Sequence, residues 1–74
     1  MSGEFVQKAI ESNQPFVIRT AGGDVYEVPH RDFVSFTRRR TTLVVNFERD
    51  DEEKVAYVPL LTVTSVETVP TEAA

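Results

Sequence analysis

The stretch from Tyr57 to Glu67 places strand-forming residues on both sides of a Pro59-Leu60-Leu61 corner. A two-residue hairpin needs positive φ at its central positions and so selects Gly, Asn or Asp, none of which the corner offers. It can supply one tight 3₁₀-like turn, with its leucines buried, that redirects the chain. The strand after the turn then cannot pair with the strand before it. It crosses to the far side of a small, strongly bent sheet, which is how a short five-stranded chain closes into a barrel. Both strands at the corner keep an unpaired edge, and an unpaired edge is a template for another chain.

The remaining segments fit around that corner. Residues from Ser2 to Asn13 read as a short helix, with Phe5, Val6, Ala9 and Ile10 on one face. Glu4 lies in its first turn, where the helix dipole favours a carboxylate, and Asn13 and Pro15 end it. Phe16 to Thr20 is a β-branched run bounded by Pro15 and by the turn residues Ala21 to Asp24. Val25 to Phe36 reads as one strand that bends or bulges at Pro29, because a proline is not tolerated in a fully paired central strand. Thr37 to Thr41 is a polar connection, Thr42 to Phe47 the third strand, and Glu48 to Glu53 an acidic hairpin loop. Lys54 to Val58 and Thr62 to Val69 are the fourth and fifth strands. The expected core includes Phe5, Ile10, Val17, Tyr26, Val28, Leu43, Val45, Phe47 and Val63, with Phe33 and Phe36 as further core aromatics. Residues 1–69 form one domain and residues 70–74 a frayed tail.

Size and charge limit what such a domain can do. A core drawn from 74 residues supplies only ~3–5 kcal/mol of net stability. With no Cys and one His, disulfides, thiolate metal sites and a His-rich site within one chain are excluded. Oligomerisation is the common remaining source of stability. A net charge of −4 disfavours broad binding to nucleic acid or anionic membrane but leaves room for a local basic site. No apolar run reaches the ~20 residues of a membrane span, and Met1 to Glu4 lacks the basic and apolar regions of a signal peptide. The chain reads as soluble and cytoplasmic, with no membrane partner.

These features together resemble the Sm-like fold of the Sm and Lsm proteins and the bacterial RNA chaperone Hfq. The segment FVQKAIESNQPFVIRTAGG is similar to the family's start, an apolar helix followed by a proline, an alternating strand and a Gly turn. YVPLLTVTSVE is similar to its end. The fold class expected is mainly β: a short N-terminal helix, then a five-stranded, strongly bent antiparallel Sm-like (SH3-type) barrel. The departures are local. Val28-Pro29-His30 stands where the family usually has a Gly midway along strand two. Asp32 to Ser35 lacks the Asn of the RNA-contacting Asp-x-x-Asn, and Leu60-Leu61 replaces the basic pairs of the last turn. The resemblance implies rings in which strand four of one copy pairs with strand five of the next. Here that interface would involve Val55, Tyr57, Val58, Val63, Ser65 and Val66 in a cyclic homo-oligomer.

No residue set carries a catalytic motif. His30, Asp32 and Ser35 have the letters of a hydrolase triad, but one short bend cannot give them nucleophile–base–orienter geometry. The chain reads as non-enzymatic and without cofactor or metal. Glu48 to Glu53 lacks the spacing and turn glycine of a calcium loop and reads as a solvated tip. Arg38-Arg39-Arg40 has two readings: a basic loop that a ring repeats around one face and that holds phosphates, or a solvated hairpin tip balanced by nearby acids. In the first reading Arg38, Arg39 and Arg40, with Arg31 and His30 in support, contact RNA or single-stranded nucleic acid. The alternative is an oligomeric protein-interaction scaffold with no nucleic-acid role.

Overall fold

The computed structural model describes residues 2–69; the tail expected over 70–74 lies outside them. Helix α1 spans Gly3–Glu11. Its end is closed by Ser12, whose N–H donates to the Lys8 carbonyl at 3.0 Å and whose hydroxyl donates to the Ala9 carbonyl at 2.6 Å. Val6 and Ala9 are buried and Ile10 packs beside them, but Phe5 is 60% exposed. The stripe that meets the core is therefore Val6, Ala9 and Ile10. Phe5 precedes Val6 by about 100° of helical rotation and falls outside it, correcting the expected core.

Strand β1 (Phe16–Thr20) and strand β2 (Val25–Val28) form a hairpin. Its turn uses Gly23 at φ 90, and the Gly23 N–H donates to the Thr20 carbonyl at 3.0 Å. Phe16 and Ile18 are buried and Val17 is only half-buried. An unbroken apolar run leaves the phase of a strand open. Here the pairing of Phe16 with Val28 and of Ile18 with Tyr26 and Val66 sets it, opposite to the expectation for Val17.

The run from Val25 to Phe36 is two strands, so the described residues form six strands where five were expected. After β2 comes Pro29, which has no N–H to donate to a ladder. A 3₁₀ turn over Arg31–Phe33 follows. His30 caps it, its Nδ1 accepting from the Asp32 N–H at 3.2 Å. Strand β3 (Val34–Phe36) then lies in a different sheet from β2. Strands β4 (Thr42–Arg49) and β5 (Glu52–Pro59) pair over their full length. Asp50 and Asp51 join them at φ 55 and 64, the two positive angles of a type I′ turn.

The corner is a 3₁₀ turn over Leu60–Thr62, followed by strand β6 (Val63–Thr68). Leu60 is buried, but Leu61 is 94% exposed. Successive side chains of a single 3₁₀ turn diverge by about 120°, so the turn buries one leucine and not the expected two. Strand β6 pairs antiparallel with β1, not with β5.

The result is two three-stranded antiparallel sheets, ordered β2-β1-β6 and β3-β4-β5. They are linked by the Pro29 bend on one side and the Leu60 corner on the other. No ladder among the described residues closes them into a continuous barrel. The core lies between the sheets and under α1, with Val6, Phe16, Ile18, Val28, Leu43 and Val45 fully enclosed. Tyr26 packs at its margin, and Phe47 is half-buried.

Candidate nucleic-acid interface and strand edges

The β3–β4 loop is held by two backbone bonds: the Thr37 N–H donates to the Thr42 carbonyl at 2.9 Å, and the Arg40 N–H to the Thr37 carbonyl at 2.8 Å. It presents Arg38, Arg39 and Arg40, all exposed. The three are not equivalent. Arg40 donates through Nη2 to Oε1 of Gln7 on α1 at 3.3 Å, and its guanidinium lies 4.1 Å above the Phe36 ring. The hydrogen bond ties the loop to the helix, and the stacking on Phe36 of β3 is worth about 0.5–1 kcal/mol at an exposed site. Arg38 and Arg39 make no hydrogen bond or ion pair among the described residues. Glu4 and Glu11 line the same shallow groove as Arg40 and Lys8 and offset part of the local positive field.

Arg31 and His30 do not join this cluster. They belong to the bend before β3, and the arginine loop follows it, so the three residues of β3 separate the two by about 10 Å of strand. His30 is engaged locally. Its Nδ1 lies 3.3 Å from Asp32 Oδ2, and its ring meets Phe33 edge-on at 6.3 Å. Ser35 makes no hydrogen bond to either residue among the described residues, so no triad is assembled. Nor does any group of three or more His, Cys, Asp or Glu among the described residues form a metal-ion cluster. No helix among them is long and apolar enough to cross a membrane.

At the strand edges, the six residues expected at an interface divide by orientation. Val55 and Tyr57 are 52% and 70% exposed, on the outer face of β5. Val58 and Val63 are buried in the core, so only their backbone is available to a partner. Ser65 and Val66 are half-buried, and Ser65 donates to Glu67 Oε2 at 3.1 Å. Arg19 Nε donates to the same oxygen at 2.8 Å. Glu67 therefore titrates below the ordinary glutamate value, first through the Arg19 hydrogen bond, then through the Ser65 hydroxyl and the Arg19 charge.

Strands β2 and β4 flank an open groove of about 840 Å³. Tyr26 and Phe47 meet in it edge-to-face at 5.5 Å, and Arg49 sits 5.1 Å from the Phe47 ring. Phe33, expected in the core, lines the groove and is 43% exposed. The proline break in Val25 to Phe36 was its signal, since strands that separate there leave a gap. Comparison with known proteins finds no match among family models, curated proteins or solved structures.

Proposed function

We propose that the chain is a cytoplasmic, non-enzymatic, Sm-like subunit. It assembles into a cyclic homo-oligomer through the outer edges of β5 and β6 and holds RNA or single-stranded nucleic acid on its repeated β3–β4 loop. The observation that carries this reading is the strand order. With β2 and β3 joined through the Pro29 bend, β5 and β6 are the two outer strands of the series, and neither pairs with the other. Each presents backbone donors and acceptors along one side. A head-to-tail contact between two different edges builds a ring if the rotation closes. Exposed Val55 and Tyr57 on β5 add apolar area to such a contact. Within the β3–β4 loop of each subunit, Arg38 and Arg39 are the arginines free to meet phosphate, and Arg40 sets the loop's position.

The test has two arms. Light scattering at micromolar concentration should give a multimer, and Val55→Asp with Tyr57→Asp should reduce it to a folded monomer. A monomer for the unmodified chain would end the assembly reading. Titration with U-rich and A-rich oligonucleotides across salt concentrations should show salt-dependent binding. Arg38→Ala with Arg39→Ala should flatten the log–log slope by about 1.4 if two phosphate contacts are lost, without dissolving the multimer. Absence of binding even at low salt would favour the alternative, an oligomeric scaffold for protein partners. The net charge of −4 and the engagement of Arg40 by Gln7 favour that reading.

A further inference from the structure

The groove between the two sheets is bounded by two stretches of strand that each lack a partner on one side. Among the described residues strand β2 pairs only with β1 and is the end strand of its sheet. Strand β4 pairs with β3 over Leu43 to Val45 alone, so Asn46 to Arg49 have β5 on one side and the groove on the other. No backbone hydrogen bond joins β2 to β4 among the described residues. The gap is the consequence of Pro29 and the 3₁₀ turn, which interrupt the strand that would otherwise have run along β4.

The side chains around the gap are sorted by strand alternation. Tyr26 and Val28 pair with Ile18 and Phe16 and share their core-facing side. Phe47 shares the side of Leu43 and Val45. Glu27, Glu48 and Glu53 fall on the opposite, solvent-facing sides, and they too line the groove. None of the three carboxylates has a hydrogen bond or ion pair among the described residues. Glu48 and Glu53 are direct cross-strand partners, an arrangement of like charges that costs stability. The nearby cations are already engaged, Arg49 against Phe47 and Lys54 with Glu52 at 3.6 Å.

We propose that this groove binds an extended segment of a partner protein in which apolar and cationic residues alternate, added as a strand to the open edge of β2. Main-chain hydrogen bonds to an exposed edge supply affinity, and alternate side chains supply specificity. The inward-facing side chains of the added strand rest on Tyr26, Phe33 and Phe47. The outward-facing ammonium or guanidinium groups neutralise Glu27, Glu48 and Glu53 and relieve the Glu48–Glu53 repulsion. This site is independent of the ring reading, which uses the outer edges of β5 and β6.

The test uses the full chain and a short blocked peptide alternating lysine and valine, followed by backbone amide shifts in NMR titration. Saturable shifts centred on Val25 to Val28 and Asn46 to Arg49 are expected. The same peptide N-methylated on alternate residues, which keeps charge and side chains but cannot pair with a strand edge, should not bind. A glutamate–valine peptide should not bind either. Glu27→Lys with Glu48→Lys and Glu53→Lys, all at exposed positions, should weaken the lysine–valine peptide by about tenfold or more. Arg38→Ala with Arg39→Ala should leave it unchanged. Equal binding of the N-methylated peptide, shifts centred on β5 and β6, insensitivity to the charge reversals or absence of saturation would each overturn the proposal. So would a U-rich oligonucleotide that shifts the same groove amides.

Discussion

Leu43 and Leu61 show how little residue type alone says about energetic weight in this chain. Leu43 is fully buried at the centre of the second sheet, and Leu61 is 94% exposed. Leu43→Ala should cost about 2–5 kcal/mol, a large part of what so small a core provides, and should lower the urea midpoint steeply. Leu61→Ala should leave the midpoint of the single chain nearly unmoved. Glu67 makes a prediction about pH. Its folded-state pKa is depressed by Arg19 and Ser65, so its contribution to stability is present above the unfolded glutamate pKa. That contribution is lost as pH falls through the lower folded value. Glu67→Gln should therefore sit below the wild-type urea midpoint near neutrality and approach it in acid. Parallel curves at every pH would show that the Arg19–Glu67 contact does not stabilise the fold. At this scale the sequence was legible where alternation was clean, as at Leu43 and Val45. It was not legible where apolar residues ran together, as at Phe5-Val6 and Phe16-Val17-Ile18, because there docking and not periodicity chooses the inward side.

The turns explain why the elements lie where they do. Asp50 and Asp51 both adopt positive φ, which costs most L-residues roughly 1–2 kcal/mol and Asp less, though more than Gly. The acidic tip thus combines backbone cost with charge repulsion. Asp51→Gly should relieve both and raise stability, because Gly adopts positive φ without steric cost, read as a higher urea midpoint with an unchanged slope. A lower midpoint would mean that the Asp51 side chain stabilises the turn. The Pro59 corner was readable from its residues, since nothing there can form a two-residue hairpin, and the structure has the single turn it implies. The Pro29 region was readable as an interruption but not as a change of sheet. That outcome depends on His30 capping a 3₁₀ turn, and three residues of ambiguous propensity do not announce it. Of the candidate site, the arginine loop was legible from composition, but the capture of Arg40 by Gln7 and Phe36 was not, because it joins positions 7 and 40.

As a whole molecule, the chain couples a small core to the free outer edges of β5 and β6, so its stability and its assembly should be linked. If edge pairing forms the multimer, the thermal midpoint should rise with protein concentration by mass action. Val55→Asp with Tyr57→Asp should abolish that dependence, whereas a concentration-independent midpoint in the unmodified chain would separate stability from assembly. The pairing of β1 with β6 has a consequence of another kind. It joins Phe16 to Thr68, whereas the β4–β5 ladder is joined across Asp50 and Asp51. Loop closure over so many residues is slow compared with closing a hairpin. The second sheet can organise early around its own turn, while the first remains a lone hairpin with an unpaired strand until residues 63–68 arrive. During that interval the edge of β1 that β6 will cover is exposed, and an exposed edge is a template for another chain.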